Sequence, residues 1–398
     1  MIVKDSHDSG KFSLTYYKNK ETRIMNKYLI IGGDHHNTLG LIESIAEKDI
    51  KPYVIILDNV KHSYIKHSNA YAKFWLFSNP KDVVTCMKKE FDAEAEKIVV
   101  ISASDNVSCL LDNHYNELCD KFVLPLCKKE GDLNHWISKN EMGNLAKEVG
   151  LTIPEKFIIK NGVIPDGSIF PCITKAISSV EGSKDNIAIC QNEDDLRHFL
   201  DVKKHCSTIV AQRFIDKSYE FQLMGFSLNN GDDVVITGRT HIDRPRGIDN
   251  TFFLRFQECE PEFYDTIKKC KEFIKIVGYQ GPFSIEFLKG KDGNNYFMEM
   301  NFRNDGNAIC ETVAGVNVPY IWYLYGAGGD WKTELDNSKI HSMYLIPEIQ
   351  QVKFWLQGEV YFKELIRDFK RADKWITYFK NDKKPFFWFF IDKIRNRL

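Results

Sequence analysis

Hydrophobic positions change texture along the chain. From residue 26 to about 130 they come in short unbroken runs. Tyr28-Leu-Ile-Ile-Gly-Gly33 reads as a buried strand entering a glycine turn, Pro52–Asp58 as a second strand, and Lys97–Ser102 as a third that ends among Ser102, Ser104 and Asp105. A helical stretch over about Leu39–Lys48 separates the first two. Continuous apolar strands alternating with helices predict a parallel sheet covered on both faces. A Rossmann-like domain is therefore expected over 26–130, preceded by a polar, aperiodic extension over 1–25. Met25, immediately before the first strand, is a candidate natural start.

From about residue 155 the runs shorten. Strands are expected at Lys156–Lys160, Cys172–Ala176, Thr208–Ile215, Tyr219–Ser227 and Asp233–Arg239, with helices near Glu193–Val202 and Glu262–Val277. Gly, Asp and Asn turns between them suggest antiparallel pairing. The class is thus α/β with α+β. A period of two then returns in Pro282–Leu288 and in Tyr296–Arg303, flanking Lys289-Gly-Lys-Asp-Gly-Asn-Asn295, which signals a β-hairpin. Alternation puts Ser284, Glu286 and Leu288 on one face of the first strand. In the second, Glu299, Asn301 and Arg303 share a face, and Met298, Met300 and Phe302 the other.

Should register join the polar faces, two carboxylates and an amide oxygen converge beside a guanidinium. Such hard oxygen donors suit Mg²⁺ shared with phosphates, and Arg303 then faces developing phosphoryl charge. The plainer alternative is a solvent-facing sheet side with a surface Glu–Arg pair. A calcium loop from Asn301 fails, because Arg303 occupies a ligand position and residue 312 is Thr.

Composition narrows the field. The 398 residues hold 54 Lys+Arg against 55 Asp+Glu, so no global positive field gathers nucleic acid. No apolar run reaches the ~18–20 residues of a membrane span. Lys4, Asp5, His7, Asp8 and Lys11 stand where a signal peptide would be apolar. Ten cysteines without a Cys-x-x-Cys pair suggest reduced thiols and a cytoplasmic setting. The turn Gly32-Gly33-Asp34-His35-His36-Asn37-Thr38-Leu39-Gly40 is not G-x-G-x-x-G, and Asp34 would oppose a pyrophosphate there. An oxidoreductase reading also lacks a Tyr-x-x-x-Lys pair. The last segment, residues 351–398, has 12 Lys or Arg against 6 Asp or Glu and ends in Lys383-Lys-Pro-Phe-Phe-Trp-Phe-Phe-Ile391. Docking on the protein's own core, a homodimer contact, or peripheral membrane contact all fit it.

Glu286, Phe-Met-Glu299-Met-Asn301-Phe-Arg303, Glu311 and Gly315-Val-Asn-Val-Pro319 together resemble the C-terminal signature of ATP-grasp enzymes. The resemblance implies a Rossmann-like pre-ATP-grasp domain followed by the two-subdomain ATP-grasp fold. It places the ATP-grasp part at 131–325, with its lid over about 155–212, and leaves 326–398 as a C-terminal basic and aromatic segment. It further implies that Glu286, Glu299 and Asn301 hold Mg²⁺ (or Mn²⁺), that Lys139 and Lys175 neutralise the phosphates of ATP, and that Arg303 contacts the reacting phosphate. Ser178–Ser183 resembles the lid loop. Gln212, Arg213, Phe214 and Ile215 resemble the adenine-pairing hinge, though Arg213 stands where an acid is common. Glu220 falls at the ribose acid, an ordinary exposed strand Glu being the alternative.

Arg239, His241, Arg244 and Arg246 form a basic run suited to an anionic acceptor. Arg239 is taken as its catalytic member. The implied reaction is ATP-dependent carboxylate–amine ligation through an acyl-phosphate, with small-molecule carboxylate and amine substrates. Single-copy amino-acid and D-aspartate ligase-like members, including those acting on cell-wall or surface-polysaccharide precursors, are the most similar branch. A non-catalytic ATP-binding module that recruits a partner through its tail is the other reading.

Overall fold

The computed structural model describes residues 26–176, 188–202, 208–243 and 253–396. The proposed extension 1–25, the lid loop Ser178–Ser183, and Arg244 and Arg246 lie outside them.

The N-terminal part runs β1 (Tyr28–Gly32), α1 (His36–Ala46), β2 (Tyr53–Leu57), β3 (Lys73–Phe77), α2 (Pro80–Glu90), β4 (Ile98–Ser102), α3 (Asp105–Asp112), α4 (Tyr115–Leu118) and β5 (Phe122–Val123). Its strands form one parallel sheet in the order β3-β2-β1-β4-β5. All five residues of β1 and of β4 are buried, as strands covered on both faces require. Gly32 ends β1 because a Cβ there would lie 2.3 Å from Thr38 Oγ1 and 2.7 Å from Ala103 Cβ. Strand order reverses between β1 and β4, so their carboxyl ends border a crevice of the kind that receives ligands in open α/β sheets.

Helices α5 (Asp132–Ile137) and α6 (Lys139–Glu148) lead into a four-stranded antiparallel sheet. It is ordered β6-β9-β7-β8, from β6 (Lys156–Lys160), β7 (Cys172–Ala176), β8 (Ile189–Cys190) and β9 (Thr208–Arg213), with α7 (Glu193–Val202) beside it. Ile159, Cys172, Cys190, Leu196, Ile209 and Ala211 make its small separate core.

The third layer system is built on β10 (Lys217–Leu228), β11 (Asp233–Asp243), β12 (Phe253–Gln257), α8 (Tyr264–Val277), β13 (Gly281–Gly290), β14 (Asn295–Asn301), α9 (Ile309–Val313), α10 (Val318–Gly326), α11 (Trp331–Asn337), β15 (Met343–Ile346), α12 (Glu348–Leu356), α13 (Phe362–Arg371), β16 (Lys374–Trp375) and α14 (Lys384–Arg395). The sheet order is β14-β13-β10-β11-β12-β15-β16. One face, carrying Phe221, Leu223, Ile285 and Phe287, buries against α8 residues Phe273 and Ile274. The other carries Met224, Phe226 and Phe256 against Ile309, Ile321 and Trp322 of α9 and α10. That second core also takes in Tyr28, Ile30 and Ile101, so the parallel sheet and the antiparallel core share one interior.

The C-terminal segment docks on the body of the chain. In α14, Trp388 stacks on His67 at 3.8 Å and Phe389 meets Tyr64 edge-on at 5.1 Å. Asp392 lies 3.2 Å from His67 Nε2, and Asn396 bonds to both backbone groups of His62. Among the described residues no helix is long and apolar enough to cross a membrane.

Candidate active site

The hairpin β13–β14 sets Glu286 opposite Glu299 and Ser284 opposite Asn301. The polar faces therefore do meet. A bulge follows at once, because Phe287 pairs with Phe297 and skips Met298. Strict alternation expected Met298 on the buried face with Met300. The bulge instead turns Phe297 into the core and leaves Met298 half-buried. Bulges re-aim side chains next to functional sites, and this one lets a glutamate pair and an aromatic pair occupy adjacent positions on opposite faces.

Around the glutamates lies a closed set of amides and acids. Asn301 Nδ2 donates to Glu286 Oε1 and to Ser284 Oγ, each at 3.1 Å. Gln222, on β10 beside Glu286, donates to Glu286 Oε1 at 3.3 Å and to Asp305 Oδ2 at 3.4 Å, and accepts from Asn307 Nδ2 at 3.2 Å. Asp305 also accepts from Ser284 Oγ at 2.8 Å and from the Asn307 backbone N–H at 2.8 Å. Burial first, then the neighbouring Glu299 and Asp305 carboxylates, push Glu286 up to about 7. Glu311, wholly buried and bonded to Thr237, is pushed up to about 8, chiefly by burial.

Lys139 opens α6, which packs on β14, and its Nζ stands 3.0 Å from Glu299 Oε2. Arg303 leaves the end of β14 toward the parallel sheet. Its Nε donates to Asp105 Oδ1 at 2.9 Å, its Nη2 to Asn301 Oδ1 at 3.2 Å, and its Nη1 lies 3.8 Å from Asp305 Oδ2. The following residue ties the two sheets together: Asn304 N–H donates to Ser102 O at 3.1 Å, and the Asn304 and Asn37 side chains bond at 2.6 Å. Arg303 thus sits at the crevice bounded by the ends of β1 and β4. His35, the N-cap of α1, accepts the Asn37 N–H through Nδ1 at 3.3 Å, and a Cβ on Gly306 would come 3.8 Å from its ring. Asp34 is held by the Ser63 hydroxyl at 2.6 Å.

The residues expected to pair with adenine leave a different sheet from the one that carries the glutamates. Gln212 pairs with Lys156 on one side and Ile173 on the other, Arg213 donates through Nε to Glu155 at 2.9 Å, and Phe214 N–H bonds to Pro171 O at 2.8 Å. Buried Ile215 follows, so residues 214–216 form the direct connection from β9 to β10. The backbone N–H groups of Arg213 and Phe214 are both engaged within the protein, that of Arg213 by Glu155 O at 2.8 Å. Lys175 lies on β7 opposite Val210; its side chain is outside the described residues. Glu220 pairs in register with Leu288 and carries an ion pair to Lys217.

Arg239 stands away from the glutamates. It pairs in register with Leu223, one position out of phase with Gln222 and Glu286, and so projects from the opposite sheet face. There it makes a two-pronged bond to Glu260, at 2.6 and 2.7 Å, with its guanidinium 4.6 Å from the Phe263 ring centre. The basic run suggested an anion site; alternation along β11 sends this member away from the carboxylates. Conversely, Gln222, Ser284, Asp305, Asn307 and Asp105 belong to the cluster without having been singled out. Asp305 was within reach of the sequence, two residues beyond Arg303, whereas Gln222 required the β10–β13 register.

No protein-family model matches the chain. A solved structure of an L-amino acid ligase from Bacillus licheniformis superposes with a TM-score of 0.62 at 16% identity, covering 80% of this chain and 79% of that one. This chain has the ATP-grasp fold. The ATP-grasp likeness extends to biotin carboxylase from Campylobacter jejuni, solved with β,γ-ATP, at TM-score 0.63 and 14% identity over 81% of this chain and 75% of that one. N5-carboxyaminoimidazole synthetase from Staphylococcus aureus gives 0.58 and 16% over 76% and 78%. Among curated proteins, D-aspartate ligase of Enterococcus faecium (strain Aus0004) is 20% identical over 286 residues, 62% of this chain. The match spans 66% of that relative's length.

Proposed function

We propose that this chain is an ATP-dependent carboxylate–amine ligase that forms an amide through an acyl-phosphate. The observation carrying this reading is the register that opposes Glu286 to Glu299, with Asn301, Lys139 and Arg303 gathered around them. Two glutamates directly opposite each other repel, so the pair favours a cation between them. Glu286, Glu299 and Asn301 are the donors for Mg²⁺, or Mn²⁺ in its place. Among the described residues no group of three or more His, Cys, Asp and Glu is placed to hold a metal. A cation here takes its remaining ligands from phosphate and water, as Mg²⁺ does in nucleotide sites. Bound there, it would neutralise charge on the transferring phosphoryl group.

Lys139 and Lys175 are assigned to the phosphates, Gln212–Ile215 to adenine and Glu220 to ribose. The substrate carboxylate oxygen attacks the γ-phosphorus and ADP departs. The amine nitrogen then attacks the acyl carbon, phosphate leaves, and the amine gives up a proton. Arg303 is assigned to the carboxylate and its acyl-phosphate, whose charge it would neutralise. The Rossmann-like domain, 26–130, contributes the crevice between the ends of β1 and β4, which we assign to the acceptor. Asp105 and Asn301 fix the guanidinium from two sides, so it is set before substrate arrives. The match to a D-aspartate ligase supports an amino acid as one substrate; a cell-wall or surface-polysaccharide precursor is the acceptor class we propose.

The test is ADP release from Mg-ATP with pooled amino acids and amines. Release requiring both an added carboxylate and an amine, with an amide in the products, supports the ligase. Nucleotide binding without turnover over such a pool would favour an ATP-binding module.

A further inference from the structure

Helix α14 has two unlike sides. Pro385, Trp388, Phe389 and Asp392 face the body of the chain, where the contacts to Tyr64 and His67 hold them. Phe387, Phe390, Ile391 and Ile394 remain 58%, 47%, 44% and 64% exposed. Their spacing is i, i+3, i+4, i+7, a single stripe on a helix. At about 100° per residue the stripe spans roughly 100°, and its centre lies about 160° from that of the docked residues. Docking of α14 therefore leaves a complete apolar face outward rather than one stray side chain.

The charges around that face have one sign. Lys383 and Lys384 precede and open the helix, and Lys393 and Arg395 flank the stripe near its end, all exposed. The first turn carries no acid. Cations at a helix N-terminus oppose the helix dipole, an arrangement that an anionic surface relieves. The helix's acid, Asp392, is buried and engaged by His67 and Arg395. A second copy of the chain fits this face poorly, because an antiparallel two-fold contact through the stripe would bring Lys383 and Lys384 of each copy toward Lys393 and Arg395 of the other. Most exposed large hydrophobic residues among those described also lie in this C-terminal part, between Val352 and Ile394.

We propose that α14 is a membrane-docking helix that lays Phe387, Phe390, Ile391 and Ile394 into the interface of an anionic lipid bilayer, with Lys383, Lys384, Lys393 and Arg395 on the headgroups. The helix lies in the surface plane and does not span. This is independent of the reaction assigned to the glutamate site. It would place an enzyme acting on a lipid-linked acceptor at the surface that holds its substrate.

The experiment is co-sedimentation of the full chain with large unilamellar vesicles of phosphatidylcholine, with and without about one-third phosphatidylglycerol. The wild type should pellet at least tenfold more with the anionic vesicles, and 0.5 M NaCl should release it. The double variant Phe387→Ser/Ile394→Ser should lose vesicle binding while keeping the wild-type melting temperature. Equal partition to neutral and anionic vesicles overturns the proposal, as does no vesicle binding by the wild type. So does a wild-type dimer in light scattering that the double variant converts to monomer, which would make the stripe a self-contact. ADP release measured without lipid is unaffected in either case, so this result and the ligase assay fail separately.

Discussion

Glu286 and Glu299 occupy directly opposed positions on neighbouring antiparallel strands, with Lys139 Nζ 3.0 Å from the second and Asn301 3.1 Å from the first. Opposed like charges weaken a hairpin. Removing the Glu299 charge should therefore stabilise the ligand-free protein while removing its function. Glu299→Gln is expected to raise the unfolding midpoint slightly and to lower ADP release at least 100-fold. A variant that loses stability and activity together would indicate a structural glutamate.

Gln222 is the hub of the amide network, reaching Glu286, Asp305 and Asn307 at once. Truncation leaves buried Asp305 and Asn307 and half-buried Glu286 each short of a bond, which costs about 1–3 kcal/mol. Gln222→Ala should lower stability by that amount in urea unfolding and weaken nucleotide binding as Glu286 loses its orientation. An unchanged nucleotide affinity would show that Glu286 is positioned without it.

Arg239 is expected to matter for folding and not for chemistry. Its side chain is 5% exposed and Glu260's 40%, so the pair is screened on one side only. Arg239→Ala should cost about 1–3 kcal/mol, below the loss of a fully buried pair. Glu260→Gln should reproduce part of it, and the KM for ATP should stay within twofold in both. A selective loss of kcat in Arg239→Lys, with stability intact, would restore the catalytic role.

Stability should fall as pH rises from about 5 to 8. Burial, followed by the facing Asp382 carboxylate, pushes Glu43 up to about 8. Glu311 and Glu286 are raised in the same direction, and so is Glu348, mainly by burial. Glu43, Glu311 and Glu286 keep a proton in the folded state over a range in which the unfolded chain, with carboxyls near 4.5, has released it. The stability this proton confers is complete below the unfolded value and lost as pH passes the folded one. Lys374, lowered to about 8 chiefly by burial, is charged in both states across most of this window. Glu43→Gln should stabilise by about 1–3 kcal/mol at pH 8 and much less at pH 5.5. An equal gain at both values would show that Glu43 is ionised throughout.

Much of this was legible in the sequence where local pattern and tertiary burial agree. Lys156–Lys160, Cys172–Ala176 and Glu193–Val202 fall where expected, because period and turn residues define them. The pairing of Glu286 with Glu299 was conditional on register, and the structure supplies it. Two things were hidden. The bulge at Met298 breaks an alternation that the residues themselves continue, so Phe297 and Met298 exchanged places. Arg239 looked like a site residue because a basic run records charge without face; its phase along β11 is visible only once β10 is aligned between β11 and β13. Gln222 was missed for the same reason, whereas Asp305, two residues beyond Arg303, stood within reach and only its partners on β10 and β13 were hidden.

We propose that the Glu286–Glu299 face holds a metal–nucleotide complex. The most direct test is water-proton relaxation of Mn²⁺ titrated with ADP, comparing wild type, Glu299→Ala and Arg239→Lys. Wild type and Arg239→Lys should show a ternary enhancement that Glu299→Ala abolishes. Enhancement that survives Glu299→Ala, or that the wild type never shows, would contradict the proposal.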